Sequence, residues 1–231
     1  MKFLEFLAGA SYCKGLMIFT ALITLIFSLR HYSRHRAFRI IPYYLGCFFL
    51  QTILDFNRYL SPRDRAAISL DLIGNTAFTI FEFCVFSLLI LRYIEGYGRR
   101  LAIKVNAVLF FIAAFFLYLH AFPQIPIYSL GQLELIALVP PCVIYFFELF
   151  TTVNTKALKD RPSFWIVTGI AYMDVCSFTL NLSFEYLGRF GDGAYALGSL
   201  LYCILFVLIM RAYKCSPAEW VTAGISPKDI Y

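Results

Sequence analysis

Polar side chains recur at helical spacing inside the long apolar runs of this sequence. Gln51, Asp55 and Arg58 follow the spacing i, i+4, i+7, which places them on one face of a helix. Asn75 and Glu82 are likewise two turns apart in the next run. Because burying such groups in apolar surroundings is costly, we expect them to be hydrogen-bonded, paired or neutralised.

A third polar stripe lies later in the chain, where Asp174, Ser177 and Asn181 share one helical face. Glu82 and Asp174 both lie near the middle of their runs, and no Lys or Arg lies at the same estimated depth. A carboxyl group in that position is expected to be protonated, hydrogen-bonded to Asn or Tyr, or bound to a cation.

Three interpretations of these polar residues stay open. They hold helices together, as polar side chains in helix bundles commonly do. They line an outward-opening pocket for a ligand or an ion, formed by Asp55, Asn75, Glu82, Asp174 and Asn181. In the third interpretation, they transfer protons or ions.

The sequence contains no recognisable catalytic constellation. Its three histidines, His31, His35 and His120, are too scattered to form a zinc site, and it lacks the serine-hydrolase, zinc-protease, P-loop and dinucleotide-binding motifs. We therefore predict no enzymatic activity, no catalytic residue, no metal and no cofactor.

Composition indicates that a lipid bilayer surrounds this chain. Of its 231 residues, 61% are hydrophobic and only 15% are charged, and the mean hydropathy is +0.73. Soluble domains are about a quarter charged. The net charge of +6 arises from short clusters between apolar runs, which argues against a nucleic-acid partner.

Seven apolar stretches are long enough, or nearly so, to cross a bilayer as helices. They cover residues 12–30, 41–60, 70–92, 102–122, 130–152, 164–187 and 193–213. We therefore predict an all-α integral membrane protein, with one seven-transmembrane helix bundle over residues 1–213 and a short cytoplasmic tail over 214–231. Pro140 and Pro141 remove two backbone donors and predict a kink or break in the fifth helix.

The basic residues predict the orientation, because short cytoplasmic loops are enriched in Lys and Arg. One side would carry Arg30, Arg34, Arg36, Arg39, Arg92, Arg99, Arg100, Lys104, Lys156, Lys159, Arg161, Arg211, Lys214 and Lys228. The other side would carry Lys2, Lys14, Arg58, Arg63, Arg65 and Arg189. This bias places the N-terminus outside and the C-terminus in the cytoplasm.

The start of the predicted sixth helix carries the run Pro162-Ser163-Phe164-Trp165-Ile166, followed by Gly169 and Tyr172. Together with Asn75 and Glu82, this pattern resembles small, uncharacterised seven-helix membrane proteins of Bacteroidota. It is similar to the seven-helix units at the N-termini of some sensor histidine kinases. The resemblance implies a seven-helix sensor-like bundle and no catalytic residue.

These observations predict a protein of receptor or sensor type in a bacterial inner membrane, with a polar intramembrane pocket and without an output domain. Its expected partners are the lipid bilayer, an unknown small ligand and a cytoplasmic or membrane signalling protein. The alternatives are a small ion- or proton-coupled transporter and an accessory subunit of a membrane complex.

Overall fold

The computed structural model describes residues 2–32, 38–60, 63–121, 127–152, 155–187 and 191–215, and the regular secondary structure of this part of the chain is entirely helical. It contains seven α-helices and a short 3₁₀ helix, Thr155–Asp160. The α-helices are α1 (Lys2–Arg30), α2 (Ile40–Leu60), α3 (Arg65–Tyr93), α4 (Tyr97–Ala121), α5 (Ile127–Thr152), α6 (Pro162–Leu187) and α7 (Gly191–Tyr213). The predicted tail lies, from residue 216 onward, outside the described residues.

Each apolar stretch of the sequence lies on one of these helices, and the largest differences are at helix starts. α1 begins at Lys2 rather than at residue 12, and α3 begins at Arg65 rather than at residue 70. At α3 the reason is a cap, since the Asp64 side chain accepts a hydrogen bond from the backbone N–H of Ala66 at 2.9 Å. Such a cap satisfies one of the free N–H groups of the first turn, so a helix can begin before its apolar residues.

Six of the helices in the described part of the chain are long and apolar enough to cross a membrane. They are α1, α3, α4, α5, α6 and α7. The apolar part of α2 within the described residues is shorter, Ile40–Asp55. The architecture is therefore that of a multi-pass membrane protein.

Six helices form a closed ring. Going round the ring, α1, α2, α3, α5, α6 and α7 each pack against the next, and α7 packs back against α1. α4 lies outside this ring against α5 and α3, and it exposes a broad apolar surface that includes Leu109 and Phe115. In a bilayer, lipid would cover that surface.

The prolines of α5 do not break it, because α5 is helical from Ile127 through Pro140 and Pro141 to Thr152. Of the two predicted alternatives, the break does not occur, and the kink stays a prediction. Pro141 has no N–H to donate to the carbonyl of Ala137, one helical turn earlier. The side chain of Asn106 on α4 donates to that carbonyl instead, at 2.7 Å. A neighbouring helix thus satisfies the backbone group that the proline leaves free.

The residues of the Pro162–Ile166 run connect α6 to its neighbours. Ser163 accepts a hydrogen bond from the Tyr145 hydroxyl of α5 at 2.9 Å. The Trp165 indole N–H donates to the Lys159 carbonyl at 2.7 Å, and the Arg211 guanidinium of α7 lies 5.5 Å from the centre of the Trp165 ring. This run therefore holds one end of the bundle together.

Candidate intramembrane site

Three buried carboxyl groups from three helices approach one another inside the ring. Glu82 of α3, Glu134 of α5 and Asp174 of α6 are 3%, 6% and 1% exposed. Glu134 interacts electrostatically with both of the others, and Asp174 interacts with Glu82. We term these three residues the acid cluster. The ion pairs of the described residues, Lys14–Asp55 and Arg99–Glu148, do not involve it.

Two tyrosines from the flanking helices bind Glu82. The hydroxyl of Tyr44 on α2 donates to Oε1 of Glu82 at 2.6 Å, and that of Tyr202 on α7 donates to Oε2 at 3.3 Å. Because Tyr44 is 1% exposed, its hydroxyl has little access to a solvent partner. The tyrosines extend the site to α2 and α7, so five of the six ring helices contribute to it.

Asp174 and Glu134 lack comparable support. Neither oxygen of Asp174 has a hydrogen-bond partner in the described part of the chain, and Oε1 of Glu134 has none there either. A buried polar group that is left unpaired costs about 1–3 kcal/mol, and such groups are uncommon in native proteins. Ser87, Tyr93 and Thr168 also bury a hydroxyl without a described partner, so the two acids are candidates for function because a buried ionisable group is costlier than a hydroxyl.

A second group of polar side chains lies near the end of the bundle where α2 ends and α3 begins. Asp71, which is 1% exposed, accepts hydrogen bonds from the amides of Gln51 at 3.3 Å and Asn75 at 3.1 Å. One turn from Gln51, Asp55 forms a half-exposed ion pair with Lys14 of α1. We term these five residues the terminal polar cluster.

Gly74 allows α2 and α3 to approach closely at this cluster. A β-carbon at position 74 would lie 2.5 Å from Leu54 Cδ1 and 2.6 Å from Gln51 Oε1, so a larger residue would displace both side chains. The absence of a side chain at Gly74 therefore helps Gln51 to reach Asp71.

The residues predicted to form one pocket are divided between these clusters. Glu82 and Asp174 belong to the acid cluster, whereas Asp55 and Asn75 belong to the terminal polar cluster. Asn181 is on α6, and its side chain lies outside the described residues.

Three residues of the two clusters and both tyrosines were not predicted to belong to a polar site: Glu134, Asp71, Lys14, Tyr44 and Tyr202. Asp71 is one turn before Asn75 and Tyr44 is two turns before Gln51, so the helical spacing contained a signal for both. For Tyr202, the surrounding apolar run offers no comparable signal.

No group of three or more His, Cys, Asp or Glu side chains among the described residues is arranged to hold a metal ion, and this includes the acid cluster. A surface groove of about 650 Å³ lies beside α2 and α3, and its lining includes Tyr43, Gly46, Leu50 and Phe81. Its walls are almost wholly apolar and open outward, as expected of a surface that lipid covers.

Comparison with known proteins adds no relative: no family model, no curated protein and no solved structure matches this chain. The resemblance to seven-helix proteins of Bacteroidota therefore stays a prediction.

Proposed function

We propose that this chain is a multi-pass membrane protein of receptor or sensor type, and that the acid cluster is the site that responds to its ligand. The observation that carries this proposal is the carboxyl group of Asp174, which is buried near Glu82 and Glu134 and has no hydrogen-bond partner among the described residues. Intramembrane ionisable residues are functional candidates by default, because their burial is costly.

The position of the acid cluster suits a sensor. Five ring helices contribute to it or to its tyrosines, so a change of charge or occupancy there would alter several helix contacts together. The basic loops would pass this change to a signalling partner in the membrane or the cytoplasm. In this proposal the protein resides in a bacterial inner membrane with its C-terminus in the cytoplasm.

The experiment is thermal unfolding of the detergent-purified protein across pH and with a library of metabolites and cations. A ligand of the folded state raises stability by mass action, by about 2.7 kcal/mol at one hundred times its Kd. We expect a stabilising ligand whose effect is lost in Glu82→Gln and Asp174→Asn. Asp55→Asn is the matched control, since it changes a carboxyl group of the terminal polar cluster, and it should keep the effect.

The contrary result is no stabilising ligand, with Glu82→Gln and Asp174→Asn both less stable than the wild type. The acids would then serve to hold helices together, and an accessory subunit would become the better description.

The unpartnered Asp174 also favours a second candidate, a small ion- or proton-coupled transporter. Carriers use membrane-embedded carboxyl groups that gain and lose a cation. Substrate flux in proteoliposomes that depends on a proton or cation gradient and is lost in Asp174→Asn would support it. Absence of flux across a broad substrate panel would count against it.

A further inference from the structure

The facing sides of α2 and α3 carry the same pattern of side chains. On α2, Tyr44, Phe48, Gln51 and Asp55 follow the spacing i, i+4, i+7, i+11. On α3, the residues Asp71, Asn75, Phe78 and Glu82 follow the same spacing. Each set therefore forms one stripe along its helix. Each stripe has polar groups at both ends and a phenylalanine between them.

Two hydrogen bonds fix the register of these stripes. Gln51 binds Asp71 in the terminal polar cluster, and Tyr44 binds Glu82 in the acid cluster. Phe48 and Phe78 lie between the two bonds, with their ring centres 6.1 Å apart.

Other aromatic rings hold this pair in place. Phe78 stacks on Tyr44 with ring centres 5.9 Å apart. Phe48 contacts Tyr202 and Phe206 of α7 at ring-centre distances of 5.4 and 5.1 Å. The two phenylalanines therefore separate a partly exposed polar cluster from a buried one.

In the opposite direction along α3, the hydroxyls of Ser87 and Tyr93 are buried and have no hydrogen-bond partner among the described residues. Phe86, Leu89 and Ile90 of the same stretch are at most 2% exposed. On α3, the described side chains beyond Glu82 therefore form no hydrogen-bonded polar series like that of Gln51, Asp71 and Asn75. Between the terminal polar cluster and the acid cluster, the Phe48–Phe78 pair forms an aromatic layer across these stripes.

We infer that H⁺ reaches the acid cluster from the terminal polar cluster between α2 and α3, and that Phe48 and Phe78 form the gate. Carboxyl groups that can accept a proton lie at both ends of this path, Asp71 in the terminal polar cluster and Glu82 in the acid cluster. The outer end also carries Lys14, whose charge is paired with Asp55. The inference rests on the proposed function, because it takes the acid cluster as the responsive site.

The native thiol of Cys142 reports access to the acid cluster. It lies on α5, is 4% exposed and interacts electrostatically with Asp174. The probe is aminoethyl methanethiosulfonate, a small cationic thiol reagent, and the extent of Cys142 modification over time is measured by peptide mass spectrometry. The full-length chain in detergent or nanodiscs is used for every variant.

We expect slow modification of Cys142 in the wild type and an acceleration of at least about tenfold in Phe48→Ala and Phe78→Ala, because truncating a ring opens the packing at the gate. Phe86→Ala is the matched control. Phe86 also contacts Tyr44, at a ring-centre distance of 5.2 Å, but lies on the far side of Glu82. In Phe86→Ala, the rate of Cys142 modification should stay within about twofold of the wild-type rate, since the gate is intact.

An unchanged rate of Cys142 modification in both Phe48→Ala and Phe78→Ala would overturn the inference, as would an equal acceleration in Phe86→Ala. Cys203 of α7, which is buried beside Thr20 of α1, detects general loosening. Equal acceleration at Cys142 and Cys203 would also overturn the gate.

The thermal measurements separate this inference from the proposed function. If a ligand stabilises the protein but the gate variants do not change Cys142 modification, the proposed function stands and the access route is a different one. If the gate variants accelerate Cys142 modification but no ligand stabilises the protein, the gate stands and the proposed function fails. Varying pH at constant salt tests whether H⁺ is the species that reaches the acid cluster.

Discussion

Glu82 and Asp174 occupy similar positions near the middle of their helices but differ in their surroundings. Glu82 accepts hydrogen bonds from two tyrosines, whereas the described residues provide no hydrogen bond to Asp174. The two carboxyl groups should therefore contribute differently to stability, although both are almost fully buried.

The bond from Tyr44 to Glu82 should be measurable as a coupling energy. We expect Tyr44→Phe to lower the free energy of unfolding by about 1 kcal/mol in the wild type and to have little effect in a Glu82→Leu background. Tyr202→Phe should cost less, because its bond is longer. Denaturation in mixed detergent micelles gives the four values of the cycle. Equal costs of Tyr44→Phe in both backgrounds would contradict this bond.

Asp71 and Asp174 allow a buried aspartate with hydrogen-bond partners to be compared with one that has none among the described residues. Both are 1% exposed. Asp71→Ala removes the acceptor of Gln51 and Asn75, whereas Asp174→Ala removes no hydrogen bond to a described residue. We therefore expect Asp71→Ala to be less stable than Asp174→Ala by about 1–3 kcal/mol. The same denaturation measurement compares them, and a larger loss in Asp174→Ala would assign that residue a structural role.

Among the helices, α5 shows how a backbone defect depends on a neighbour. Its two prolines lie inside a continuous helix, and Asn106 of α4 binds the carbonyl that Pro141 leaves without a donor. This bond also attaches α4, which otherwise lies outside the ring, to the bundle.

The Asn106 bond can be tested by restoring the missing donor. We expect Asn106→Leu to lower the free energy of unfolding by about 1–3 kcal/mol, because the Ala137 carbonyl loses its side-chain donor. Pro141→Ala supplies a backbone N–H to the same carbonyl, so Asn106→Leu should cost less in that background. If Asn106→Leu lowered the free energy of unfolding equally in the wild type and in Pro141→Ala, Asn106 would not act by replacing the missing N–H of Pro141.

The whole molecule is a ring of six helices with α4 on its periphery. The acid cluster lies within this ring. Which end faces the cytoplasm is predicted by the basic residues alone, through the positive-inside rule.

Reporter fusions test that orientation. We expect a fluorescent protein fused after Lys214 to fold in the cytoplasm of a bacterial host. Alkaline phosphatase inserted within residues 122–126 should be active outside it, because this stretch of the sequence contains no Lys or Arg. The reverse pattern of reporter activity would show the opposite orientation. As a control, each reporter is also placed at the other position.

The sequence by itself determined the helical class and the seven helices, because long apolar runs between charged breaks leave few other solutions in a bilayer. It also identified Glu82 and Asp174 as buried acids, since their spacing and depth follow from helix geometry. Helix starts such as that of α3 were less well predicted, because a cap rather than hydropathy sets them.

Only the tertiary structure decided which polar residues meet. Spacing fixes the face of a residue on its own helix but not the neighbour that this face meets. The structure therefore separated Asp55 and Asn75 from Glu82, added Glu134, Tyr44 and Tyr202 to it, and placed Asn106 at the proline of α5. Each of these contacts joins residues distant in the chain, and their formation depends on how the helices rotate and pack against one another.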